Sequence, residues 1–165
     1  MTNQNIPKKI LYWYDNNKRA LPWRKKVSKK KQEYFTLVSE FMLQQTQVKT
    51  VIPYFEKFIK EFPNLKSLAK SSDHKILKNW EGLGYYSRAR NLKKTAIKLL
   101  KDYKGELPED IETLKSLPGI GEYTSRSILA IAHNKPYIPM DGNVERILKR
   151  VFLLKTDYEI SKENL

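Results

Sequence analysis

Leu117-Pro118-Gly119-Ile120-Gly121-Glu122-Tyr123-Thr124 carries the strongest structural signal in the chain, and Asp141 follows Tyr123 by eighteen residues. Pro118 disfavours helical geometry at Leu117, so a helix arriving from the N-terminal side stops there. Gly119 and Gly121 admit backbone angles that other residues resist and let a phosphate come close. Glu122 to His133 then fit a second helix, with Ile128, Leu129 and Ile131 on its apolar side. The free N–H groups and positive dipole end at its start favour an anion. Two helices joined in this way over 112–133 make a helix-hairpin-helix, which grips a nucleic-acid backbone without reading its sequence. The other reading of the same eight residues is an ordinary Pro-Gly loop.

Outward from the hairpin, the pattern is helical nearly throughout. Apolar residues recur at helical spacing over 6–17, 34–46, 50–61, 64–70, 73–80, 85–102, 109–116 and from Asp141 to about Leu153. Pro53 is expected in the first turn of its helix. Tyr137-Ile138-Pro139 is too short, and too broken by its Pro, to make a strand. There is no internal repeat, so an all-α bundle or orthogonal barrel is expected. Residues 18–33 read as a basic connector, in which Arg24 to Lys31 carry six basic side chains in eight. It is expected to be a solvated, mobile loop or a weak phosphate contact.

Composition narrows the function. The 165 residues carry 32 Lys and Arg against 18 Asp and Glu, a formal net charge of +14. A charge of that size points to a polyanion, most often nucleic acid, with an anionic membrane surface as the competing partner. No run of roughly 18 apolar residues offers a membrane span, and the start of the chain has no signal-peptide core. A cytoplasmic location is expected. The absence of Cys excludes disulfides, thiol nucleophiles and Cys-ligated metal centres from this chain, and the two His, His74 and His133, make no metal set.

Three further places could carry chemistry. Glu40 lies in an apolar helical run, four residues before Gln44. It is either a solvated acid on a wet face, or a desolvated carboxyl with a raised pKa that donates a proton at neutral pH. Asp141 precedes Gly142-Asn143 at a helix start, either as a plain N-cap or as a carboxylate that the same N–H groups keep ionised before a developing cation. One protonated and one ionised carboxyl are what breaking a glycosidic bond requires. Gly82-Leu83-Gly84-Tyr85-Tyr86-Ser87-Arg88-Ala89-Arg90 combines a loop with two aromatics and two Arg. Its tyrosines either wedge between bases while its arginines reach phosphates, or pack inward.

With these pieces in order, the chain closely resembles the MutY family of adenine DNA glycosylases, within the helix-hairpin-helix glycosylase superfamily. The matching segments are Leu21 to Arg24, Ser39 to Val48, Val51 to Phe55, Gly82 to Leu92, the hairpin, and Asp141 to Val144. The resemblance implies an all-α helix-hairpin-helix glycosylase fold: a six-helix barrel over 22–140, and an incomplete second helical lobe from residues 1–21 and 141–165. It implies removal of adenine mispaired with 8-oxoguanine or guanine in double-stranded DNA, by a monomer of bacterial, nucleoid-associated type. By the same resemblance Glu40 protonates the adenine and Asp141 stabilises the sugar cation, with support from Tyr123 and Asn143. Gln44, Gln45, Thr46, Leu83, Tyr85, Arg88, Pro118, Gly119, Gly121 and Thr124 contact DNA. Gln45 fills the gap and Tyr85 wedges beside the damaged base, while Trp23 and Arg24 lie near the base pocket.

Related bifunctional enzymes carry a Lys where this chain has Tyr123, so no Schiff base can form at that position and a monofunctional enzyme is expected. Family members continue into a four-Cys [4Fe–4S] site and a further domain. Neither is found here, so no cofactor is expected in this chain, and exposed apolar surface is expected on 6–17 and 144–165. A mismatch thymine glycosylase and a truncated, non-catalytic DNA-binding fragment are the competing readings.

Overall fold

The computed structural model describes residues 5–153, and every regular element among them is helical. In order these are α1 (Ile6–Asn17), a 3-10 turn (Pro22–Arg24), α2 (Lys29–Leu43), α3 (Val48–Glu61), α4 (Leu65–Lys70), α5 (Asp73–Trp80), α6 (Ser87–Asp102), α7 (Ile111–Lys115), α8 (Glu122–Ala132) and α9 (Gly142–Phe152).

Helix α2 is the axis of the fold. It packs on α8, α3, α6 and the 3-10 turn, and ten consecutive residues, Glu33 to Met42, are buried. A helix hidden on all sides needs apolar residues all round; Tyr34, Phe35, Leu37, Val38, Phe41 and Met42 supply them. Its N-terminus corrects the sequence expectation. The helix begins at Lys29, inside the run read as a mobile connector, because Glu33 and Tyr34 are drawn into the interior and carry the preceding turn with them. The last part of the connector is therefore helical. Trp23 is also buried, edge-on to Phe55 at 5.3 Å, and Phe35 meets the same ring at 5.4 Å. Edge-to-face aromatic pairs add to the burial of their area.

Pro53 departs from expectation as well. Helix α3 starts at Val48, so Pro53 lies in its second turn and leaves the Lys49 carbonyl without an amide donor four residues on. The apolar face of Val51, Phe55 and Phe58 holds the helix in place regardless. Phe58 and Trp80 meet edge-on at 5.8 Å and join α3 to α5. The short helices rely on caps. Asn64 and Ser67 form a capping box on α4, Ser72 caps α5, and Asp110 caps α7.

The hairpin forms where the sequence places it. α7 ends at Lys115, two residues before Leu117, and α7 packs directly on α8. Gly119 has φ +80°, and a Cβ there would lie 2.8 Å from Asn91 Cβ and 2.9 Å from Phe41 Cε1. Gly121 behaves otherwise. It is extended at φ −98°, ψ −173°, a conformation open to any residue, and a Cβ would meet nothing within 4 Å. The expectation of special backbone angles holds for Gly119 and not for Gly121. Thr95 of α6 donates its hydroxyl to Pro118 O at 2.8 Å and fixes the turn to the core.

The two ends of the described chain bury little. Ile10, Leu11, Tyr12 and Trp13 on α1, and Ile147, Val151 and Phe152 on α9, stand exposed. The exposed apolar surface expected on 6–17 and 144–165 is present as far as Leu153; the rest of that stretch lies outside the described residues. No helix among the described residues is long and apolar enough to cross a membrane.

Gly119→Ala is expected to destabilise the fold by about 2 kcal/mol or more, from left-handed strain plus overpacking against Phe41. Gly121→Ala is expected to change stability little. Urea unfolding of both variants checks the contrast, and equal midpoints would contradict it.

Candidate active site

Glu40 lies one turn before the end of α2, and its solvent exposure is only 8%. Its pKa is raised, chiefly because burial penalises the charged carboxylate. Two neighbours oppose that rise: a hydrogen bond with Ser127 of α8, and the positive charge of Arg24. The wet-face reading of Glu40 is thereby corrected, because α8 and the 3-10 turn cover the side of α2 on which it sits. A raised pKa means that the folded state binds this proton more tightly than the unfolded chain does. The contribution of Glu40 to stability is therefore greatest below the ordinary carboxyl pKa of 4.5 and is lost as pH rises through the raised value.

Asp141 stands at the start of α9. Its Oδ1 accepts from the backbone N–H of Asn143 at 3.0 Å and of Val144 at 2.8 Å. The N-cap reading holds, and the carboxyl stays exposed. Tyr123 links the two acids. It is 45% exposed on the first turn of α8, and its pKa is raised by partial burial, then by the charges of Glu40 and Asp141. One phenol thus feels both carboxyls, although 101 positions separate them in sequence. Asn143 supports Asp141 through its backbone N–H; its side-chain Oδ1 is occupied by Arg146 Nη2 at 3.0 Å.

Arg88 sits behind this surface rather than on it. The guanidinium is 6% exposed and lies between the rings of Trp80 and Tyr85, at 5.6 and 5.5 Å. Nη1 donates to the carbonyls of Phe41 (3.3 Å), Met42 (2.8 Å) and Gln44, and to Thr46 Oγ1 at 3.1 Å. Nη2 donates to Leu83 O at 3.0 Å and Gly84 O at 3.2 Å. The phosphate-contact expectation for Arg88 is corrected: both Nη groups donate within the protein, to carbonyls and to Thr46 Oγ1, Nε is buried without a partner, and the side chain is too enclosed to reach a phosphate. Its effect is to hold two loops side by side. In each loop an exposed residue adopts left-handed backbone, Gln45 at φ +56° and Tyr85 at φ +46°. These are the two residues expected to enter the duplex.

Other expected contacts also turn inward. Gln44 donates its amide to Gly119 O at 3.1 Å and Thr124 Oγ1 at 3.4 Å, tying α2 to the hairpin. Thr124 is buried, and Thr46 is held by Arg88. Leu83 and Trp23 belong to the core, which removes Trp23's ring from any base pocket, whereas Arg24 remains exposed near Glu40. Pro118, Gly119 and Gly121 lie on the turn beside Gln44, and Gly121 caps α8. The outer surface left for a ligand includes Arg24, Gln45, Tyr85, Gly119, Tyr123, the Gly121 end of α8 and Asp141. Ser127 is not singled out by the sequence. Its one legible signal is its position, four residues after Tyr123 on the same helical face.

The iron–sulfur cluster that the resemblance implies has no ligands in this chain. The sequence contains no Cys, and among the described residues no group of three His, Cys, Asp or Glu could hold a metal ion.

Residues 38–165 match the HhH-GPD superfamily base excision DNA repair proteins, and the chain belongs to that superfamily. It is 45% identical over 168 residues to an adenine DNA glycosylase of Buchnera aphidicola subsp. Acyrthosiphon pisum, covering 99% of this chain and 47% of that protein. It is 44% identical over 153 residues to the adenine DNA glycosylase of Rattus norvegicus, covering 90% of this chain and 30% of that protein. The chain therefore spans less than half the length of these relatives. Among solved structures, a thermostable thymine-DNA glycosylase superposes with TM-score 0.78 at 26% identity, covering 88% of this chain and 66% of that one. Endonuclease III in a non-covalent DNA complex superposes with TM-score 0.76 at 22% identity, covering 98% of this chain and 76% of that one, a likeness of fold.

Arg88→Lys keeps a positive charge but loses the planar fork that reaches both loops. The variant is expected to lose roughly 3 kcal/mol of stability, because buried carbonyls are left without donors. A urea midpoint equal to wild type would contradict the clamp. Glu40→Gln removes a buried acid and is expected to be at least as stable as wild type at pH 7. Its stability should also vary less with pH above 4.5; thermal melts across pH 4–8 measure both effects.

Proposed function

We propose that the chain is the catalytic part of a base-excision glycosylase that hydrolyses the N-glycosidic bond of adenine mispaired with 8-oxoguanine or guanine. The observation that carries this reading is Tyr123 lying within electrostatic reach of both Glu40 and Asp141. Glu40, whose burial favours the protonated form, donates its proton to the adenine and makes it a better leaving group. Asp141 supplies the counter-charge for the oxocarbenium sugar, with Asn143 and Tyr123 beside it. Tyr123 keeps its phenol proton and offers a hydrogen bond. Water completes the hydrolysis, and with no Lys at position 123 the enzyme is monofunctional.

The substrate is double-stranded DNA. Gln45 and Tyr85, exposed and held in left-handed backbone, enter the space left by the extruded base. The hairpin and the Gly121 end of α8 lie along a phosphate backbone. The net charge of +14 supports that grip without sequence readout. Residues 22–140 form the six-helix barrel. Residues 1–21 and 141–165 belong to the second lobe, whose apolar faces on α1 and α9 are exposed here. The protein acts as a monomer on DNA in the cytoplasm. The similarity to adenine DNA glycosylases supports adenine as the target. The superposition on a thymine-DNA glycosylase favours a mismatched thymine as the second reading.

Single-turnover assays on duplexes carrying adenine opposite 8-oxoguanine, adenine opposite guanine, or thymine opposite guanine separate these readings. Adenine release is expected, with DNA binding kept and release abolished in Glu40→Gln. Thymine release alone would move the target to the second reading. Binding with no abasic product at high enzyme excess would reduce the chain to a DNA-binding fragment. The affinity is also expected to fall steeply between about 50 and 200 mM salt, as Lys and Arg displace counterions; a flat profile would contradict backbone gripping.

A further inference from the structure

Two rungs, one turn apart, join α2 to α8. The first is Gln44 Nε2 to Thr124 Oγ1 at 3.4 Å. The second sets Glu40, four residues earlier on α2, against Ser127, three residues later on α8; both are buried there, and the Ser127 hydroxyl is near enough to lower the carboxyl's pKa. Residues three and four apart share a helix face, so two antiparallel helices that bring 44 against 124 also bring 40 against 127. Ser127 is 2% exposed and lies in the buried seam with Thr124 and Ile128.

We infer that Ser127 is a positioning residue for the acid: its hydroxyl holds one oxygen of the Glu40 carboxyl and turns the other toward the base. This rests on the reading of Glu40 as the proton donor. A serine hydroxyl has one proton to give. Given to the carboxyl, it fixes a group that could otherwise rotate about its terminal torsion, and proton transfer demands such alignment. The bond also strengthens during the reaction. Before transfer the acceptor is a neutral carboxylic acid. As the Glu40 O–H breaks and an N–H forms on the leaving base, the acceptor becomes a carboxylate, and a charge-assisted bond replaces a neutral one. Stabilisation that grows toward the transition state lowers the barrier. Ser127 keeps its own proton throughout, so the transfer balances between Glu40 and the base alone. The ordinary alternative for a mid-helix serine is a bond to the backbone carbonyl one turn back, which would leave Glu40 unaffected.

The test uses the full 165-residue chain and Ser127→Ala, which removes one buried oxygen with little change in volume. The Glu40 carboxyl carbon is followed by 13C NMR across pH, its signal identified by its loss in Glu40→Gln. In Ser127→Ala its titration midpoint is expected to move to higher pH, because the carboxylate has lost a donor. The single-turnover rate of adenine release is expected to fall about tenfold, the size of the gain from a neutral to a charge-assisted bond. The alkaline limb of the rate profile should move with the midpoint, since the acid works only while protonated. Ser127→Ala in the Glu40→Gln background should leave the Glu40→Gln phenotype unchanged. An unmoved midpoint overturns the inference, whether or not rate or stability falls, because the hydroxyl would then serve packing alone. Retained release in Glu40→Gln sinks the acid assignment itself, and the positioning role with it. The titration needs no turnover, so the midpoint tests the Ser127 contact even in a chain that binds DNA without releasing base.

Discussion

A single buried guanidinium organises the face on which the site is built. α2 ends against the buried Arg88 side chain, with Leu43 and Gln44 only partly exposed. The Glu40 and Leu43 carbonyls are met by the amides of Gln44 and Thr46; those of Phe41 and Met42 are met by Arg88. The same cation lies at the negative end of the helix dipole, where positive charge is favoured. Its second nitrogen reaches across to Leu83 and Gly84. Burying a charge in this way is costly unless its donors find acceptors. Carbonyls at the end of α2 and in the Leu83–Gly84 loop provide them for both Nη groups, while Nε stays buried without a partner, and neither segment can relax alone. The left-handed conformations of Gln45 and Tyr85, unfavourable for residues with a Cβ, persist because of that constraint.

The interior of the α2–α8 pair then sets the electrostatics. Burial disfavours the Glu40 carboxylate, and Ser127 and Arg24 limit how far the balance tips. A carboxyl in such surroundings detracts from stability at neutral pH, and function is the physical reason to keep it there. Asp141 is placed differently, exposed at a helix start with two backbone amides on one oxygen. Two acids thus occupy unlike environments, and the charges of both reach Tyr123. Their surroundings, rather than their chemistry, separate what each can do.

Much of the fold was legible in the sequence. Helical periodicity located the helices to within a few residues, except at the start of α2. There the Lys-rich run masked a helix whose continuation is fully buried. Pro118 and Gly119 announced the turn because few residues satisfy its backbone. The site was less legible. Arg88, Gln44, Thr46, Leu83 and Trp23 all carry side chains that could meet DNA, and a linear sequence does not say which way they point. Each proves to be turned inward: Trp23 and Leu83 pack in the core, and Arg88, Gln44 and Thr46 hydrogen-bond within the protein. Ser127 is silent in the sequence because one serine in a helix has no distinguishing pattern; its meaning comes from what α2 sets against it.

By itself, then, the sequence determined the helical class, the hairpin, the strong positive charge, and the absence of any thiol for a cluster. These follow from local rules: apolar spacing, backbone freedom at Gly and Pro, and counts of charge. Only the tertiary structure decided that Glu40 is desolvated while Asp141 is open, that one phenol senses both, and that Arg88 braces loops instead of gripping phosphate. Those outcomes depend on burial and on contacts between residues far apart in the chain. Desolvation and hydrogen-bond partnership belong to the packed state, and no local stretch of chain carries them.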